Sequence, residues 1–80
     1  MEKSLFSRRY SLFLHHLRAA REKEGLTQEA LAKRLGETQS FISKCERGER
    51  RIDIVEIRAF CKGIGISFIE FVRRLDREMD

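Results

Sequence analysis

Residues 35–53, LGETQSFISKCERGERRID, combine uncharged hydrogen-bonding side chains with a cluster of arginines. Gln39 and Ser40 stand where a helical pattern begins, and Ser43 and Lys44 follow them by four residues. Residues four apart share one face of an α-helix. A glutamine amide can donate to and accept from one adenine edge, a lysine can donate to guanine, and serine suits either base. The chemistry that this face can perform is therefore hydrogen bonding to base edges, whereas a solvated helix start remains the alternative for Gln39.

Three arginines, Arg47, Arg50 and Arg51, follow this polar face. They are either solvated charges on a helix end and loop or ligands for phosphate groups beside a base-reading helix. Helix starts at Thr27 and Thr38 would add backbone N–H donors for the same phosphates.

Phe41 lies beside the apolar positions of the same helix without belonging to them. Its ring can cover an edge of the core, or it can press on a thymine methyl group or a sugar. The pattern does not distinguish these two roles.

The composition fits one small domain with a polyanionic partner. The 80 residues carry 17 Lys plus Arg against 13 Asp plus Glu, which gives a formal charge of +4. No apolar run is long enough for a membrane span, and the N-terminus MEKSLFSRRY lacks the apolar region of a signal peptide. We therefore expect a cytoplasmic protein with no membrane partner.

The spacing of the cysteines and histidines in the sequence does not match that of a metal site. Cys45 and Cys61 are not a CxxC pair, and both fall on inward helix faces, which favours reduced, buried thiols. His15 and His16 are adjacent and would point about 100° apart on a helix. We expect no metal, no cofactor and no small-molecule ligand.

The chain contains no proline, and its apolar spacing is helical, which predicts an all-α domain. Asp53 with Glu56 and Ser67 with Glu70 have the spacing of capping boxes. In the helix that begins at Asp53, the spacing places Ile54, Ile57, Cys61 and Ile64 inward and leaves Val55 and Phe60 off that stripe. Five helices are predicted, at about 8–24, 28–35, 39–47, 54–64 and from 68 to beyond 75.

The unit from Gln28 to Arg47 has 20 residues and predicts two short helices around a tight turn. Ala32 permits close helix contact, and Gly36 supplies the positive φ angle that the turn needs. Spacing alone is compatible with a DNA-binding unit and with a generic helical hairpin.

The segment GLTQEALAKRLGETQSFISKCERGERRID resembles the XRE, or lambda-repressor/Cro, type of helix-turn-helix domain. The resemblance runs from about Leu17 to Phe71. It includes LTQ before the first motif helix, LG at the turn, QS at the start of the next helix and GIS before the last one. It implies a single five-helix lambda-repressor-like domain over residues 1–80, with residues 1–7 loose, and a dimeric transcriptional regulator.

The resemblance also implies roles for individual residues. Gln28 would anchor a phosphate and brace the base-reading residue, and Gln39, Ser40, Ser43 and Lys44 would lie on the exposed face of the recognition helix. Arg21 and Glu46 would pair at the buried ends of the first and third helices and orient the recognition helix.

A recognition helix that reads about four base pairs cannot select its site alone, so we expect a homodimer on two-fold related double-stranded DNA. Residues 66–80 are the candidate dimerisation element, because the last helix has more apolar side chains than one face needs. The alternative is a larger core closed by Leu5 and Phe6. Phe71 is expected to face the core, and the predicted interface residues are Phe60, Phe68, Ile69, Val72 and Leu75.

The combined prediction is a homodimeric repressor without enzyme activity, similar in size to restriction–modification controller proteins. An antitoxin-like or adaptor protein is the alternative, in which the last helices bind a different protein.

Overall fold

The computed structural model describes residues 7–79, which form five α-helices and no β-strand within that range. The prediction of an all-α, five-helix domain is confirmed. Ser7, expected to lie in a loose segment, caps the first helix by accepting a hydrogen bond from the Tyr10 backbone N–H at 3.2 Å. Leu5 and Phe6, the alternative closure of the core, lie outside the described residues. The helices are α1 Arg8–Lys23, α2 Gln28–Leu35, α3 Gln39–Glu46, α4 Ile54–Ile64 and α5 Phe68–Glu78.

Capping residues and a glycine define the ends of α2 and α3 on either side of a short turn. The Thr27 and Thr38 hydroxyls each accept a hydrogen bond at 3.0 Å from a backbone N–H in the first turn of their helix, which satisfies a donor that the helix leaves free. Gly36 ends α2 with a φ angle of +69°. A side chain would be strained in that left-handed conformation, so the turn depends on glycine.

One of the two predicted capping boxes is complete. Asp53 accepts from the Glu56 N–H at 2.8 Å, and the Glu56 carboxylate accepts from the Asp53 N–H at 3.0 Å. Ser67 accepts from the Glu70 N–H at 3.1 Å, but the Glu70 carboxylate pairs with Arg73 at 2.5 Å. The prediction of a second complete box is wrong because that arginine, three residues further along α5, takes the carboxylate.

The core lies where α1, α4 and α5 cover the α2–α3 pair. Ile42 and Cys45 on α3 are fully buried, and Phe71 on α5 meets Phe13 on α1 with their ring centroids 6.2 Å apart. The buried apolar residues are Phe13, Leu14, Leu17, Leu31, Ala32, Ile42, Cys45, Ile57, Phe60, Cys61, Ile64 and Phe71.

Two α4 predictions are wrong. Phe60, expected off the inward stripe and at a dimer interface, is 1% exposed, whereas Ile54, expected inward, is 68% exposed. Both Ile54 and Phe60 have helical spacing to the buried residues Ile57, Cys61 and Ile64. Ile54 is the first residue of α4, however, and it lies beyond the core. Phe60 fills the core and has no side-chain surface to offer a second protein.

Among residues 7–79, no helix has the length and apolar character to cross a lipid bilayer.

Candidate nucleic-acid interface

The first turn of α3 presents an open polar surface. Gln39, Ser40 and Lys44 are exposed, and their side chains make no hydrogen bond to another residue within 7–79. On the opposite face, Ile42 and Cys45 are 0% exposed. The helix is therefore fixed from behind, while its outer face keeps amide, hydroxyl and ammonium groups available to a partner.

Ser43 differs from its neighbours on that face. Its side chain is half-buried, and its hydroxyl oxygen accepts a hydrogen bond from Arg47 Nη1. Arg47 also donates through Nε to Glu49 at 2.8 Å, and both of those side chains are about half exposed. The structure thus joins a predicted base-reading residue to a predicted phosphate-binding residue.

A buried ion pair holds the C-terminal end of α3. Arg21 Nε and Nη2 donate to the two carboxylate oxygens of Glu46 at 2.6 and 2.9 Å, and Arg21 Nη1 donates to the Leu26 carbonyl at 2.7 Å. The side chains are only 7% and 3% exposed. The hydrogen bonding of the Arg21 guanidinium to the Glu46 carboxylate raises the pKa of Arg21, although desolvation acts in the opposite direction. The structure therefore brings together the two residues that the resemblance paired, and it fixes α3 to α1.

Gln28 completes this cluster. Its Nε2 donates to Glu46 Oε1 at 2.9 Å, so α2 is joined to the same carboxylate. The resemblance implied that Gln28 braces the reading residue at the start of α3. In the structure it braces the far end of the helix instead.

Arg50 and Phe41 support the loop after α3. Arg50 donates to both carboxylate oxygens of Glu56, at 3.1 and 2.8 Å, and its Cζ lies 4.8 Å from the centroid of the Phe41 ring. Phe41 is half-buried and packs against Phe60, with centroids 6.3 Å apart. The structure places Phe41 at a core edge, the first of its two predicted roles, and it engages Arg50 inside the protein.

Arg51 has a different environment. Its Cζ lies 4.3 Å from the centroid of the Tyr10 ring on α1, and no ion pair joins it to any residue of the described range. Tyr10 in turn accepts a hydrogen bond from the Ile52 N–H at 3.2 Å. The contacts of Arg51 with Tyr10 and of Arg50 with Glu56 were not anticipated, because sequence spacing does not reveal contacts between separate elements. The pairing of Arg47 with its close neighbour Glu49 was also not anticipated.

The carboxylate of Glu56 makes the stability of the protein depend on pH. Its hydrogen bonds from Arg50 and from the Asp53 backbone hold the pKa of Glu56 below its ordinary value. Since the folded pKa is the lower one, this stabilisation is complete above the unfolded pKa and is lost as pH falls through the folded pKa. We expect the urea midpoint of the parent protein to exceed that of Glu56→Gln at neutral pH, with the gap closing below about pH 4. A gap that is independent of pH would contradict this assignment.

Both cysteines are buried, and His16 contacts an acidic side chain. Cys45 and Cys61 are fully buried, and burial raises both thiol pKa values, that of Cys61 to about 11. His16 Nε2 lies 3.0 Å from Glu78 Oε1 and joins α1 to the end of α5. Within residues 7–79, no group of three or more His, Cys, Asp or Glu residues is placed to hold a metal ion.

The predicted dimer residues separate into two groups on α5. Phe68 and Leu75 are half-buried and pack against the core. Ile69 and Val72 are 65% and 42% exposed and leave an apolar surface on the outside of the helix.

Comparisons with known proteins agree with this geometry. A family model described as helix-turn-helix matches residues 17–71. An uncharacterized HTH-type transcriptional regulator of Sinorhizobium fredii, y4dJ, is 34% identical over 56 residues, which cover 70% of this chain and 73% of that protein. A solved XRE-family like protein from Pseudomonas syringae pv. tomato is 43% identical, with a TM-score of 0.85 over 90% of this chain and 88% of that one. The wild-type restriction–modification controller protein C.Esp1396I is 29% identical, with a TM-score of 0.81 over 90% and 94%.

Proposed function

The chain belongs to the helix-turn-helix family of DNA-binding transcriptional regulators, of the XRE type, and we propose that it is a homodimeric repressor with a two-fold related operator. In this proposal α3 enters the major groove, and Gln39, Ser40, Ser43 and Lys44 meet the base edges. Binding would block a promoter by occupancy. The proposed site of action is the cytoplasm.

The observation that carries the proposal is the contrast between the two faces of α3. On the outer face, the side chains of Gln39, Ser40 and Lys44 have no hydrogen-bond partner in the described range. The inner face and the C-terminal end are fixed by core packing and by the Arg21–Glu46 pair. A polar face on a rigid helix can meet a base pair without first being ordered, which favours specific binding.

Phosphate contacts would set the register of α3 in the groove. The starts of α2 and α3, capped by Thr27 and Thr38, direct free backbone N–H groups outward, and Gln28 begins the first of these helices. The acidic partner of Arg47, Glu49, is about half exposed, so Arg47 can exchange that ion pair for a phosphate at small cost. The donors of Arg50 are more firmly engaged by Glu56.

The exposed apolar side chains of α5 support the dimer. Ile69 and Val72 would meet their equivalents across a two-fold axis, with Phe68 and Leu75 at the edge of the contact. A second copy would remove apolar surface from water and supply the recognition helix for the second half-site.

Control of a restriction–modification operon is the specific form of regulation that the comparisons favour. The match to C.Esp1396I extends over nearly the whole of both chains, and this chain has a similar length. The proposal would require restriction and methyltransferase genes beside the gene for this chain.

The base-reading role of Gln39 gives a specific expected result. On a duplex selected by the parent protein, Gln39→Ala should weaken binding by about 1–3 kcal/mol per reading contact and relax the preference at that base pair. Competition titrations with every single base-pair variant of the site would measure both effects, and Lys44→Ala should relax a different position. If Gln39→Ala retained the parent's full ranking of variant sites, its assignment to a base would be wrong.

A further inference from the structure

The three arginines after α3 are held in different ways. Arg47 and Arg50 direct hydrogen bonds to acidic side chains, Glu49 and Glu56 respectively. Arg51 makes no such bond within residues 7–79, and its guanidinium lies over an aromatic ring. Of the three, Arg51 has its donor groups least engaged by the protein.

Contact with a ring face leaves the N–H groups of a guanidinium available. The guanidinium is planar, and its five N–H donors lie at the edge of that plane, so cation–π contact through the face does not use them. The Arg51 Cζ lies 4.3 Å from the Tyr10 ring centroid. Arg51 is therefore oriented while still able to donate two parallel hydrogen bonds to one phosphate.

Tyr10 is itself held from two sides. Its hydroxyl accepts a hydrogen bond from the Ile52 N–H at 3.2 Å, and its ring lies against the buried Phe13 with centroids 5.4 Å apart. The ring thus joins α1 to the residue that follows Arg51. Within the loop, Arg50 Nη1 donates to the Arg51 carbonyl at 3.0 Å.

We propose that Arg51 is the principal phosphate-binding arginine of this loop and that Tyr10 is the positioning residue that holds it. Arg50 then supports the loop through Glu56 and contributes less to DNA binding. This inference rests on the proposed DNA-binding function and adds to it a residue on α1, outside the helix-turn-helix unit.

The test is a double-mutant cycle on affinity for a random-sequence duplex of about 20 base pairs, titrated between about 50 and 200 mM salt. Arg51→Gln should weaken binding and lower the slope of log affinity against log salt by about 1 per bound protomer. Tyr10→Leu should weaken binding about three- to tenfold when Arg51 is present. In the Arg51→Gln background the same Tyr10→Leu change should alter affinity by less than about twofold.

Tyr10→Phe and Arg50→Gln are the matched controls. Tyr10→Phe keeps the ring and loses only the hydroxyl, so its affinity should stay within about twofold of the parent. Arg50→Gln should leave the salt slope closer to the parent's than Arg51→Gln does. Equal losses from Tyr10→Leu in both backgrounds, or a larger slope change for Arg50→Gln, would overturn the inference while leaving the proposed function intact. Failure of the parent protein to bind the duplex at the lowest salt would overturn the proposed function and the inference together.

Discussion

Replacing Glu46 with glutamine should lower the free energy of unfolding by about 3–5 kcal/mol. The change removes the negative charge that Arg21 faces, and it leaves a guanidinium 7% exposed beside a neutral amide. It also puts an amide group opposite Gln28 Nε2, which now donates to the carboxylate. Since small domains are stabilised by about 5–15 kcal/mol in total, the loss would be a large share of the whole. Urea unfolding followed by circular dichroism measures it.

The matched control for this substitution is Glu22→Gln. Glu22 is also an acidic neighbour of Arg21, at 3.9 Å, but its side chain is 54% exposed, so its loss should cost under about 1 kcal/mol. DNA affinity of the folded fraction should fall for Glu46→Gln only, because the end of α3 loses its attachment to α1 and α2. Equal urea midpoints for the parent and Glu46→Gln would contradict the role of this pair.

Disrupting the apolar surface of α5 should have the largest effect on DNA binding. Ile69 is 65% exposed, so Ile69→Glu should leave the monomer folded while placing a charge at the proposed contact between two protomers. We expect the dimer to dissociate and the affinity for a two-fold related site to fall on the order of 100-fold, because the two half-sites are no longer bound together. Sedimentation equilibrium measures the mass, and a titration of the selected duplex measures the affinity.

Ala19→Glu is the control for the added charge. Ala19 is exposed on α1, so the same glutamate placed there should leave both the mass and the affinity unchanged. A parent protein that sediments as a monomer at every concentration would contradict the dimer. So would an Ile69→Glu variant that keeps the parent's mass.

The residues that cap the helices were predictable from the sequence. Thr27, Thr38 and Asp53 cap their helices as expected, because a cap involves a side chain and an N–H three residues later. The α4 stripe was predicted wrongly at Ile54 and Phe60, because both residues fit a helical repeat that includes Ile57. Only the position of the other helices decides which of the two is buried.

Contacts between distant side chains were not predictable from spacing. Three arginines in five residues predict phosphate ligands, but Arg50 lies six residues from Glu56 and Arg51 lies over Tyr10, 41 positions earlier in the chain. Arg21 and Glu46 could be paired only through the family resemblance, since they are 25 residues apart. The sequence therefore shows which residues are charged, but only the folded structure shows which charged residues pair with each other.

Selection of bound sequences from random duplex DNA at physiological salt tests whether the protein recognises a specific DNA sequence. We expect the parent protein to enrich one two-fold related motif, with half-sites about one helical turn apart. We expect Gln39→Ala to enrich a motif relaxed at a base pair in each half-site. Enrichment of no motif by the parent protein would contradict sequence-specific recognition through the exposed face of α3.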